Sequence, residues 1–204
     1  MRNILLFLVL GTFGSACKQN IVKIESENGN VIEEYEVSEN QVKNGAYKRF
    51  FESGEIQETA TYVNGKLEGE RIIYHKNGKP EIREFYKDDV LEGDYFSYYE
   101  NGQIEISSKY SNGVMNGPLT KYYENGKVQE KIQMVDNTEN GPFKEYFENG
   151  QIHWEGQYLN GDNEFGLLKE YDENGQLLKK MMCDSLAVCR TIWTMKDGDI
   201  KPKY

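Results

Sequence analysis

The sequence predicts an all-β protein, an elongated antiparallel β-meander of tandem β-hairpins that each take about 24 residues. Three observations predict it. Frame glycines fall at Gly45, Gly69, Gly93, Gly117, Gly141 and Gly166, in steps of 24, 24, 24, 24 and 25 residues. A second glycine series, Gly54, Gly78, Gly102, Gly126, Gly150 and Gly175, keeps the same register. Between the two series, short aromatic and aliphatic runs are bounded by Asn-Gly turn signals. Such a period means one supersecondary unit per copy, stacked on its neighbours.

Residues 1–16 read as a secretory signal peptide of the lipoprotein type. Met1-Arg2-Asn3 is a cationic head, and Ile4 to Leu10 is an apolar run of seven, far below the ~20 residues of a membrane span. Gly14-Ser15-Ala16-Cys17 resembles the lipobox of bacterial lipoproteins, although Gly14 stands where an aliphatic residue is usual. That resemblance implies acylation of Cys17, a membrane held through an N-terminal acyl anchor, and a place in the bacterial cell envelope, periplasmic or surface-exposed. Lys18, in place of Asp, leans toward the outer membrane by resemblance to lipoprotein sorting.

Residues 17–44 read as a short tether and a degenerate first repeat, with Asn28-Gly29 lying 25 residues before Gly54. Residues 45–189 form the regular array. Residues 190–204 read as a decayed capping hairpin whose tip, Asp197-Gly198, follows Gly175 by 23 residues. Terminal copies cap an exposed edge, and Pro202 with its flanking lysines suits that purpose. Cys183 and Cys189 flank a short loop and are either a disulfide or two reduced thiols.

The copy from Gly93 to Gly117 shows how each unit works. Glu100-Asn101-Gly102 recurs as Glu124-Asn125-Gly126, Glu148-Asn149-Gly150 and Glu173-Asn174-Gly175. Asn-Gly suits a two-residue type I′ turn, which needs φ > 0 at both central residues. With Ser53-Gly54 as such a loop, Tyr47 faces Ala60, Arg49 faces Glu58 and Phe51 faces Ile56. The chain turns back near Asn64-Gly65, Asp88-Asp89, Asn112-Gly113, Asp136-Asn137 and Asn160-Gly161. One face then carries Tyr95, Tyr99, Ile104, Ile106 and Tyr110, continued by Leu119, Tyr123, Val128, Ile132 and Met134, and by Phe143, Phe147, Ile152, Trp154 and Tyr158. The other is polar, with an aromatic ladder of Phe50, Tyr74, Tyr98, Tyr122, Tyr146 and Tyr171, read as cross-strand stabilisation or as a stacking surface for a ligand. An isolated hairpin is marginal in water, so neighbouring copies must supply the rest of the stability. The apolar face needs cover, from the sheet's own coiling or from a bound partner. Tyr95, Tyr99, Tyr110, Tyr123, Phe147, Trp154 and Tyr158 are accordingly the candidate partner-binding residues.

Composition excludes several classes. From Cys17 onward the chain has 188 of the 204 residues, with 34 acids against 23 bases, which argues against nucleic acid. His75 and His153 lie in different copies, His75 in the aromatic column of Phe51, Tyr99 and Tyr123 and His153 on the polar face, and neither has triad spacing. The glutamates before each tip (Glu52, Glu100, Glu124, Glu148 and Glu173) are turn residues, not an acid–base set. Asp136 to Gly141 lacks the bidentate Glu of a calcium loop. No catalytic residue, metal or cofactor is expected. A glycan-acting enzyme would need a clustered carboxylate pair or a nucleophile, which the register does not assemble.

The pattern G-x-Y-x-x-Y-Y-E-N-G-Q-I, with its frame glycines, Tyr/Phe pairs and Tyr-x-Asn-Gly returns, resembles the MORN-repeat variant of bacterial proteins of the YwqK type over about residues 28–198. Many of these are grouped as antitoxin components of toxin–antitoxin systems. The resemblance implies a non-catalytic binding module. The expected protein is a lipid-anchored repeat protein that binds a protein partner at the envelope, the alternative being an antitoxin or immunity lipoprotein that neutralises a toxin.

Overall fold

The computed structural model describes residues 20–200, so the expected signal peptide, the expected acylation site Cys17 and residues 201–204 of the expected capping hairpin lie outside the described residues. Every element among the described residues is a strand. The chain forms two compact units, one up to Gly102 and the other from Gln103. In the first, Asn20–Glu25, Val31–Val37, Lys43–Phe50, Ile56–Val63, Gly69–Tyr74, Pro80–Lys87 and Gly93–Tyr98 pair antiparallel in chain order. The second repeats the meander with Ile104–Ser111, Gly117–Tyr122, Val128–Val135, Thr138–Tyr146, Ile152–Tyr158, Glu164–Tyr171, Leu177–Cys183 and Cys189–Thr194. The predicted all-β meander of hairpins is thus observed within each unit.

The strand register is as expected, with Tyr47 opposite Ala60 and Arg49 opposite Glu58, but the tips are not type I′ turns. At the first matched tip the Gly54 N–H donates to the Phe51 carbonyl at 2.9 Å, and the Phe51 N–H donates to the Glu55 carbonyl at 2.9 Å. The loop therefore holds three residues, with only its glycine left-handed, and is built on a type I turn closed by a glycine bulge. Phe50, not Phe51, then faces Ile56, and the next residue, Gln57, has no partner of its own. That unpaired residue restores the expected register further down the strand. The same shift places Val128 opposite Tyr122 and Ile152 opposite Tyr146, on the ladder face and not with Tyr123 and Phe147. Type I′ geometry occurs at the returns instead, where Asn64 and Gly65 have φ of 51° and 84°, and Asp88 and Asp89 have 51° and 69°.

Hydrogen bonds explain this division. In a tip, the Asn77 Oδ1 accepts from the Lys79 N–H at 2.9 Å, and its Nδ2 donates to the Glu100 carbonyl of the next tip at 2.9 Å. Asn149 repeats both contacts with Gln151 and Glu173, each at 2.8 Å. In a return, the second turn residue donates its N–H to a carbonyl one frame back: Gly65 to Lys43 at 2.8 Å, Asp89 to Leu67 at 3.1 Å, Asn137 to Met115 at 3.0 Å. Each loop is thereby fastened to its neighbour.

The cores are thin and one-sided. In the second unit Leu119, Ile132 and Met134 are buried, with Ile106, Met115 and Tyr158 against them. Phe143, Leu168 and Cys183 form a second cluster, flanked by Trp154, Tyr158, Met181 and Cys189. Ile132 and Cys183 are only 2% exposed although no second layer lies on that face among the described residues. Such burial needs the sheet to coil over its own apolar stripe. Gly156 lets it do so: a Cβ there would lie 2.9 Å from Phe143 and 3.1 Å from Leu168. Cys183 and Cys189 are directly opposite in the terminal hairpin and joined as a disulfide.

Frame glycines sit where the strand bulges after each return. Gly93 has φ 118°, and a Cβ would lie 3.3 Å from the Phe85 Cβ, whereas Gly117, at φ 101°, has open space. Gly93→Ala should therefore lower the denaturation midpoint more than Gly117→Ala, with each losing on the order of 1–3 kcal/mol to the left-handed backbone. Equal losses would show that the contact with Phe85 carries nothing.

A polar groove on the candidate binding face

Direct alternation along the strands puts the position two residues after each frame glycine on the inner stripe: Tyr47, Arg71, Tyr95, Leu119, Phe143 and Leu168. Two residues further on, the same face carries Arg49, Ile73, Ser97, Lys121, Glu145 and Glu170. In the second unit the face is thus apolar in one stripe, at Leu119, Phe143 and Leu168, and charged in the next, at Lys121, Glu145 and Glu170.

The seven expected contact residues do not act alike. Tyr95 and Tyr99 lie in the first unit and Tyr110, Tyr123, Phe147, Trp154 and Tyr158 in the second, all of them half-buried. Tyr158 stacks on Phe143 with ring centroids 4.2 Å apart, and burial followed by nearby Glu130 drives its phenol pKa upward. Trp154 packs on the same cluster, with the Lys179 ammonium 5.1 Å from its ring. These two side chains belong largely to the core. Tyr123 donates its hydroxyl to the Tyr146 carbonyl at 2.6 Å, and Phe147 lies against the His153 ring at 4.3 Å. Tyr123 lines the groove described next, and Phe147 backs His153, which lines it too.

Lys121, Tyr123, Gln129, Glu130, Glu145, Tyr146 and His153 line a cavity of about 260 Å³ in the second unit. Gln129 and His153 reach it because they are the unpaired residues beside the tips, which corrects the expectation that His153 lies on the polar face. Glu130 and Glu145 are direct cross-strand partners, so the register does assemble one carboxylate pair. Lys121 bonds Glu130 at 2.8 Å, and the His153 Nδ1 lies 3.9 Å from Glu145. Burial raises the Glu145 pKa, Glu130 adds to the rise, and His153 and Lys121 oppose it. No serine, cysteine or threonine lines the groove to act as a nucleophile. Among the described residues, no group of three or more His, Cys, Asp or Glu could hold a metal ion.

Other sequence candidates are absorbed by the frame. The His75 Nε2–H donates to the Tyr98 carbonyl at 2.9 Å, the contact that Tyr123 makes two copies later. The aromatic ladder uses its hydroxyls along the sheet, Tyr74 with Thr59 at 3.3 Å, Tyr122 with Ser107 at 3.4 Å and Tyr171 with Glu155 at 2.8 Å. Asp136 and Asn137 form a return turn, and the Asn137 Oδ1 accepts from the Met115 N–H at 2.7 Å.

Sequence reasoning missed the charged centre of the first unit. Arg71 takes an inner-stripe position and bonds Glu58 at 2.7 Å through Nε and Glu84 at 2.5 Å through Nη1. Both carboxylates are buried. Burial works against the guanidinium charge, but the hydrogen bonds that Arg71 donates to Glu58 and then Glu84 outweigh it, and the Arg71 pKa is raised. Alternation does place all three residues on one face, and that signal would have found them.

A single-layer array of fastened hairpins with a one-sided groove defines a tandem β-hairpin repeat protein. The model for the MORN repeat variant matches residues 43–64, 67–88, 91–112, 115–136, 139–160 and 166–182, more than half of the chain, and the protein belongs to that family. Among curated proteins, none matches the chain significantly.

Two outcomes follow from the charges. Arg71→Met leaves Glu58 and Glu84 buried without a counter-charge and should cost about 3–5 kcal/mol in chemical denaturation, most of it regained when Glu58→Gln and Glu84→Gln are added. Glu145 has a raised folded pKa, so its contribution is fully present below the ordinary 4.5 and is lost as pH rises through the folded value. Glu145→Gln should therefore melt above wild type at pH 7, with the gap closing as pH falls through the raised folded value and gone below the ordinary 4.5. A gap independent of pH would mean that Glu145 is not desolvated.

Proposed function

We propose that this is a non-catalytic, lipid-anchored binding protein of the bacterial envelope that holds a protein partner against the aromatic and acidic groove. The observation that carries the reading is the open cavity lined by Tyr123, Glu130, Glu145 and His153, on a face whose neighbouring stripe the sheet has already covered for itself. The groove's rim, with an aromatic ring and carboxylates side by side, has the mixed character of a protein contact surface. The lipobox-like segment before Cys17 supports the anchor and the compartment. An immunity lipoprotein is the special case in which the partner is a toxin.

A photo-crosslinking residue placed at Gln129 or Phe147 should trap one discrete protein in the intact envelope. The same residue at Lys131 or Lys144, on the other face, should trap none. Adducts from all four positions, or from neither groove position, would reject the reading. Cys17→Ser should abolish palmitate incorporation and release the protein from membranes, and unchanged labelling would remove the anchor.

A further inference from the structure

Lys43 stands two residues before the frame glycine Gly45, where the next three copies have Leu67, Leu91 and Met115. Met115 uses that place to pack on the buried cluster of its unit. Lys43 instead brings a charge. Its ammonium lies 4.4 Å from the ring centroids of both Tyr35 and Tyr47 and 5.1 Å from that of Tyr62. The Glu33 carboxylate accepts from it at 3.0 Å. The walls are fixed by one another: Tyr35 and Tyr47 are stacked at 6.4 Å, and Tyr47 meets Tyr62 edge-on at 5.5 Å. Burial, and then Glu33, push the Tyr47 phenol up to about 12, so the rings stay neutral and keep their negative faces.

Three aromatic faces and one carboxylate are the components of an alkylammonium site. Here the chain fills the site itself, and the Lys43 side chain is still 31% exposed, so the cage is not sealed from solvent. We propose that Tyr35, Tyr47, Tyr62 and Glu33 form a receptor for a lysine side chain of a partner polypeptide, with Lys43 as its resident occupant in the free protein. A primary ammonium fits better than a quaternary one, because Glu33 needs an N–H donor. Entry requires only that the Lys43 stem swing outward, with no strand displaced. The tethered resident acts at an effective concentration of about millimolar, so an incoming lysine must exceed that or be held by other contacts. The cage is thus self-occluded, and it opens to a lysine that the partner delivers in place. It is a separate site from the groove of the second unit.

The probe is the peptide acetyl-Gly-Lys-Gly-amide, with the norleucine peptide as its control, titrated against Lys43→Ala and wild type and followed through the tyrosine ring resonances. Lys43→Ala should bind the lysine peptide at least tenfold more tightly than wild type and ignore the norleucine peptide, and adding Tyr35→Leu should remove the binding. Lys43→Met, the residue of a later copy, should fold with the cage plugged and bind neither. No gain in Lys43→Ala, or equal binding of the norleucine peptide, overturns the proposal. Should Lys43→Ala fail to fold, wild type carries the test: the lysine peptide, and not its control, should accelerate acylation of Lys43 in a saturable way, and an unchanged rate overturns it. Capture of Lys43→Ala by phosphatidylethanolamine vesicles without competition from the peptide would assign the cage to lipid and also overturn it.

Discussion

Everything in this fold depends on hydrogen bonds that join each loop to the one a frame away. A single hairpin buries too little to remain ordered in water, since fixing each residue's backbone costs about 1–2 kcal/mol. Ordinary strand pairing helps, but paired strands alone could slide or twist apart where their apolar side chains are few. The loops prevent that. Asn77 and Asn149 reach the carbonyl of the next tip, and the return turns give their N–H groups to the carbonyls of Lys43, Leu67 and Met115. Within each unit the loops at both ends of the strands are therefore held at a fixed spacing, which follows the 24-residue frame seen in the glycines.

That constraint explains what the inner stripe tolerates. Because the backbone of each copy is positioned from its edges, the side chain at one place can change character if its neighbours complete it. Arg71 replaces an apolar residue and is satisfied by Glu58 from the copy before and Glu84 from its own. His75 replaces a tyrosine and still reaches the Tyr98 carbonyl. Gly156 gives up its side chain so that Phe143 and Leu168 can close over it. In each case the loss at one position is made good by a residue on an adjoining strand, as in repeat proteins whose stability resides in nearest-neighbour interfaces.

Much of this was legible before any coordinates. The glycine period specified the hairpins, and alternation specified which of Tyr47, Ala60, Arg49 and Glu58 face each other. The tips were misjudged because Asn-Gly is compatible with two loops, and the choice is made by a contact outside the hairpin: Asn77 keeps a right-handed backbone so that its amide can serve both Lys79 and Glu100. A one-residue difference there moved Val128 and Ile152 to the ladder face and turned His153 toward Phe147. His153 thereby lines the groove, as does Gln129 at the equivalent place one copy earlier. The site was illegible for the same reason the tips were. Lys121, Glu130 and Glu145 follow the alternation that sets the strands, but Gln129 and His153 join them only as the irregular residues beside the tips.

The groove also shows what the frame does not correct for. Like charges directly opposite on a sheet are destabilising, and Glu130 faces Glu145 in that way. In the first unit the corresponding stripe is neutralised from within, since Arg71 lies between its two carboxylates. In the second, Lys121 bonds Glu130, while Glu145 has His153 at 3.9 Å and Lys121 only at longer range. Leu119 takes the stripe position that Arg71 holds in the first unit, so the hydrophobic core of the second unit is gained at the expense of its central cation. The acidic character of the groove is therefore a consequence of how that core is built: an arginine restored at Leu119 would balance the carboxylates and, by the same stroke, open the cluster of Ile132 and Met134.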